Sequence, residues 1–151
     1  MTRNPSPLAW TLLGPSQMRP LILILCLLAV TACDEQAPLG PTVMPNERFT
    51  LAPGEVATVR DVDLFVRFVA VTGDSRCPAD ALCIQGGDAL VHISVIDGGV
   101  TSAYELHTGD SSRATVTHEQ NRIGLAELQP YPFSSRTIAP GEYRATLMVS
   151  R

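Results

Sequence analysis

From Arg48 to Arg151 the chain alternates apolar and polar residues with a period of two, the spacing that turns every second side chain of a β-strand to one face. Leu64–Val71 sets Leu64, Val66, Phe68 and Ala70 on one face and Phe65, Arg67, Val69 and Val71 on the other. In Tyr143–Val149 an inward set of Tyr143, Ala145, Leu147 and Val149 alternates with Arg144, Thr146 and Met148. The same pattern predicts strands at Phe49–Leu51, Val56–Val59, Ala89–Ile96, Thr101–His107, Ala114–Thr117 and Ile123–Leu128. Ala52-Pro53-Gly54 and Ala139-Pro140-Gly141 are turn signals ahead of strands, and Gly98-Gly99 and Gly109-Asp110 fall between them. Helical spacing is nearly absent, apart from one helical turn expected at Asp80–Leu82. Seven or eight short strands with frequent turns predict an all-β domain over residues 48–151, a single antiparallel β-sandwich or small barrel.

The pattern ahead of the domain differs. Leu21 to Val30 reads LILILCLLAV, ten residues without a polar side chain. As a helix it spans about 15 Å, half a bilayer core, which is too short to cross a membrane. Its length is that of a signal-peptide core, with Arg19 supplying the positive charge before it. Val30-Thr31-Ala32-Cys33 follows directly and resembles the lipobox of bacterial lipoproteins. That resemblance implies residues 1–32 as a signal peptide and Cys33 as the lipidated N-terminus of the exported protein. Two or three acyl chains there give stable anchoring where one gives marginal binding. The implied location is the cell envelope, lipid-anchored to a membrane and facing the periplasm or the exterior; which membrane is left open. Met18 offers a second start, because Met-Arg-Pro and the apolar run form a complete signal by themselves. Residues 33–47 comprise the lipidated cysteine and a proline-rich stretch expected to be a flexible tether.

Export changes the accounting of cysteine and charge. Of four cysteines, Cys26 lies in the signal and Cys33 takes the lipid, leaving Cys77 and Cys83 as an expected structural disulfide in an oxidising compartment. A redox pair usually has CxxC spacing, and a metal site lacks a third cysteine or a nearby histidine. All 11 basic residues are arginine, so lysine chemistry is excluded. Nine arginines against 15 carboxylates leave the exported part at −6. This balance argues against nucleic acid, which needs clustered cations, and against electrostatic docking on anionic lipid.

Asp74-Ser75-Arg76-Cys77-Pro78, then Cys83-Ile84, then Gly87-Asp88-Ala89 resembles a signature of an uncharacterised family of small secreted bacterial proteins, DSRCP-x4-C. Pro130-Tyr131-Pro132 fits it as well, while Gln85-Gly86 stands where that family has Trp-Ala. The resemblance implies a domain and a compartment and carries no activity. Asp74 and Arg76 form the candidate interaction loop, with local turn and ion-pair bonding as the alternative. Gly86-Gly87 suits an anion nest or a tight turn. His92, His107 and His118 show no metal-ligand spacing and are expected as scattered surface residues, and no GxSxG elbow is present. No catalytic, cofactor or metal residue is assigned. The expected function is a non-enzymatic, membrane-anchored binding or interaction module with a possible envelope protein partner. The alternatives are an envelope enzyme with a dispersed site using His92 or His107, and an extracellular protease inhibitor acting through the loop at Arg76.

Overall fold

The computed structural model describes residues 39–151, which hold nine strands, a single 3₁₀ turn and no α-helix. The expected signal peptide over residues 1–32, the expected lipidation site Cys33 and the second start at Met18 lie outside the described residues. The strands are β1 (Leu39–Val43), β2 (Arg48–Leu51), β3 (Val56–Val59), β4 (Leu64–Asp74), β5 (Ala89–Asp97), β6 (Val100–His107), β7 (Thr115–His118), β8 (Asn121–Gln129) and β9 (Arg144–Ser150). They form a five-stranded sheet, β1-β3-β4-β5-β6, and a four-stranded sheet, β2-β9-β8-β7. Neither closes into a barrel, so the domain is a β-sandwich.

The alternating faces supply the core. Leu64, Val66 and Phe68 from β4 and Val91, Ile93 and Val95 from β5 are fully buried. Leu51, Ile123, Ala145, Leu147 and Val149 line the facing sheet. Each large apolar side chain so buried contributes about 1.5–3 kcal/mol. Between β5 and β6, Gly98 and Gly99 both take positive φ (53° and 83°), as a two-residue hairpin with the twist of its strands requires. That turn sets the β5–β6 register, with Asp97 opposite Val100 and Leu90 opposite His107.

Three features differ from the sequence reading. Leu39–Val43, expected within the tether, is a strand that pairs in parallel with β3, so the sandwich is not purely antiparallel. Second, β4 runs on to Asp74 beyond the expected Val71, through irregularities between Phe68 and Ala70 and between Val71 and Gly73. These slip the alternation, and Ala70 is only half-buried. Finally, the helical turn expected at Asp80–Leu82 is a tight turn closed by the Ala81 N–H on the Pro78 carbonyl at 3.1 Å.

Candidate functional site

The candidate residues gather where β4 ends and β5 begins, referred to below as the loop end. The connection 75–88 leaves β4 at Asp74 and returns at Ala89, braced by the Cys77–Cys83 disulfide, whose Cα atoms are 5.9 Å apart. The connection from β8 to β9 lies against it. The Ala79 N–H donates to the Pro132 carbonyl at 2.9 Å, and the Ser134 N–H and hydroxyl donate to the Asp80 carboxylate at 2.8 and 2.6 Å.

The expected interaction pair, Asp74 and Arg76, turns inward. Arg76 is 8 % exposed, and its guanidinium grips Asp74 in a fork, Nε to Oδ1 at 2.9 Å and Nη2 to Oδ2 at 2.7 Å. Its Nη1 donates to the Leu128 carbonyl at 2.6 Å, and Nη2 donates also to the Pro130 carbonyl at 3.0 Å. Tyr131 lies 5.5 Å from the guanidinium carbon, within cation–π range. The Tyr143 hydroxyl donates to Asp74 at 3.1 Å. Burial pushes the Asp74 carboxyl up, but the Arg76 side chain and N–H outweigh it and hold the pKa below the usual carboxylate range. Burial, with the Asp74 charge beside it, pushes the Tyr143 phenol up. Arg76 therefore ties the two sheets together and has no free guanidinium to offer a protease pocket.

A second lock lies on the other side of the connection. Asp88 Oδ1 accepts from the Gly109 N–H at 2.7 Å and the Thr108 N–H at 2.9 Å, and Oδ2 meets His107 Nδ1 at 2.5 Å. Burial raises the Asp88 carboxyl, yet the Gly109 N–H and the His107 ring prevail and lower it to about 2. His107 Nε2 meets Glu105 at 3.1 Å, and the same Glu105 oxygen takes the Arg113 guanidinium at 3.3 Å. Carboxylates only accept, so the ring satisfies both partners when it carries both protons. Gly87, with φ 68°, packs so closely that a Cβ would fall 1.7 Å from the Ser75 carbonyl oxygen. The Gly86-Gly87 pair thus serves a backbone approach.

Of the three histidines expected at the surface, His107 and His118 are buried, while His92 is partly exposed. His92 and His107 lie on the outer face of the five-stranded sheet with Glu105 between them, and His107 is 3 % exposed. His92 Nε2 contacts the Thr72 hydroxyl at 2.7 Å and lies 3.6 Å from Glu105. His118 is buried at the other end of the sandwich, with its Nδ1 2.9 Å from the Tyr104 hydroxyl. Among the described residues no group of three or more histidine, cysteine or acidic side chains is arranged to hold a metal.

Sequence reasoning passed over Asp88, although the Gly98-Gly99 hairpin contained the signal. Counting outward from that turn sets Asp88 opposite Gly109, whose N–H it accepts. Between the two locks lies an open cleft of about 530 Å³, whose lining includes Arg76, Gly87, His107, Thr108, Leu128 and Tyr131. Beyond it the two linked connections expose large apolar side chains: Leu82 and Ile84 fully, Tyr131 and Phe133 about half.

Comparison with protein-family models, with curated proteins and with solved structures finds no match to this chain.

Proposed function

We propose that the protein is a non-enzymatic contact module of the cell envelope, held to a membrane by lipid on Cys33 and binding through the loop end of its β-sandwich. The anchor rests on Val30-Thr31-Ala32-Cys33 directly after ten apolar residues. One observation carries the contact role. The polar groups turned inward at the loop end, Asp74, Arg76 and His107, are all committed to holding it in shape, while Leu82, Ile84, Tyr131 and Phe133 stand exposed on its two linked connections. A rigid surface of this kind loses little freedom on binding, which favours recognition.

The test is hydroxyl-radical footprinting of the lipidated protein in its own membrane and after detergent purification. Leu82, Ile84, Tyr131 and Phe133 are expected to be protected in the membrane and labelled once purified. Equal labelling in both states would remove the contact role. Replacing Cys33 with serine is expected to leave the leader uncut and the lipid absent, read by mass spectrometry.

A second reading, an envelope enzyme with a dispersed site, draws on the grouping of Thr72, His92 and Glu105. A hydroxyl–imidazole–carboxylate relay needs the two partners on opposite ring nitrogens. Here both approach Nε2. Turnover of an ester, peptide or glycan that is lost in His92→Ala would establish the enzyme; no turnover is expected.

A further inference from the structure

We infer that the loop end is a second, apolar foothold on the bilayer that holds the Cys33 lipid, with Leu82 and Ile84 seated among the headgroups and Tyr131 and Phe133 beside them. This rests on the lipoprotein reading and names the partner of the same surface.

Three observations support it. First, the apolar residues are concentrated. Among the described residues eight large hydrophobic side chains are exposed, and four of them lie on these two linked connections. Single exposed apolar residues are ordinary, but a group held out on a braced loop marks a contact surface. The disulfide, the Ala79–Pro132 bond and the Asp80–Ser134 bonds fix the loop in place.

The direction of the chain is the second. β4 runs toward the loop end, β3 is antiparallel to it, and β1 is parallel to β3. Leu39 therefore lies at the loop-end side of β1. Leu39 pairs with Val56, which sits opposite Arg67, and the stretch from Arg67 to Asp74, matched by the five steps from Ser94 to Ala89, rises about 17 Å toward the loop end. From Cys33 to Leu39 are six residues, whose reach is at most about 20 Å. A tether of that reach holds Leu39 within about 20 Å of the surface that carries the lipid, so with the strands upright Asp74 stands within a few ångströms of that surface. Residues 75–88 then stand in the bilayer surface.

Charge is the third, and it selects the lipid. The exported part carries −6 and no lysine. Arg76 is turned inward, Arg136 is paired with Glu142, and Asp80 adds a carboxylate held ionised by the Ser134 hydroxyl and N–H. The foothold is therefore apolar in character and suits a zwitterionic surface better than an anionic one.

The exported part contains no tryptophan, since Trp10 precedes Cys33, so a single tryptophan reports its own surroundings. Leu82→Trp replaces a fully exposed side chain in the loop. Val100→Trp replaces an exposed one at the β5–β6 hairpin, the opposite end of the sandwich. Each full-length lipidated variant is reconstituted in phosphatidylcholine vesicles, with and without bromine on the acyl tails. The expected result is blue-shifted emission, quenched by bromine, for Leu82→Trp and neither change for Val100→Trp. Adding phosphatidylglycerol is expected not to deepen the quenching. Water-like, unquenched emission from Leu82→Trp, with acylated Cys33 confirmed by mass, overturns the foothold and leaves the lipoprotein reading intact. An unacylated Cys33 overturns both. A loop that stays unquenched in vesicles but crosslinks to a protein in cells assigns the surface to that protein instead.

Discussion

Arg76 Nη1 donates to the Leu128 carbonyl at 2.6 Å, so a side chain just beyond β4 in one sheet is pinned to the end of β8 in the other. The same guanidinium neutralises Asp74, whose side chain is 11 % exposed. At the loop end this cation links the sheets beside the Tyr143–Asp74 and Ser134–Asp80 bonds, and at their centre apolar packing joins them.

Arg76→Ala leaves a buried carboxylate without its cation and strips donors from the Leu128 and Pro130 carbonyls. Breaking such a pair from one side costs about 3–5 kcal/mol. Urea unfolding is expected to show a loss of that size. Arg76→Lys is expected to recover little of it, because an ammonium cannot form the fork to Asp74 while reaching both carbonyls.

Acid should destabilise the domain through Asp88 and Asp74. The Asp88 carboxyl is lowered from 3.8 to about 2 in the folded protein, so its stabilising effect is present above 3.8 and is lost as pH falls toward 2. Asp74 is lowered as well, so it acts in the same direction. Thermal melts are expected to hold their midpoint above pH 4 and to fall below it. Asp88→Asn should melt lower near neutrality and respond less to acid. An unchanged acid limb in that variant would remove Asp88 as the cause.

Replacing both Cys77 and Cys83 with serine opens a loop of seven residues, worth about 2 kcal/mol on the chain-entropy account. The buried sandwich core does not include that loop. Circular dichroism should retain its β signal while the unfolding midpoint drops, and proteolysis should begin between residues 77 and 86.

Gly87→Ala sets a Cβ against the Ser75 carbonyl oxygen at a positive φ, whereas Gly98→Ala meets nothing within 4 Å. The second substitution carries only the left-handed penalty of about 1–2 kcal/mol. The first must also push the two ends of the connection, at Ser75 and Gly87, apart. Side-by-side melts are expected to rank Gly87→Ala well below Gly98→Ala, and an equal loss would refute the close approach.

Strands with a clean alternation were legible from the sequence. Val56–Val59 is observed at the predicted bounds, and the inward set Tyr143, Ala145, Leu147 and Val149 is buried as expected. β1 was not legible, because Leu-Gly-Pro-Thr-Val contains two poor strand formers and its pairing comes from β3, thirteen residues further on. The Cys77–Cys83 bridge followed from compartment and spacing. The burial of Arg76 did not, since its carbonyl partners lie 52 and 54 residues away and no local pattern encodes them. Asp88 and His107 fall between these cases, 19 residues apart but linked through the register of one hairpin.

The parallel pairing of β1 also has a mechanical meaning. β1 enters from the loop end and lies at the edge of its sheet, hydrogen-bonded to β3 along Leu39–Val43. A pull on the chain ahead of Leu39, directed toward the loop end, acts along the strand axis. It loads the β1–β3 ladder in shear, so its bonds resist together instead of unzipping one by one from an end. The domain is thus built to stay folded while drawn by its N-terminus, and the same force directed sideways would peel β1 away far more easily.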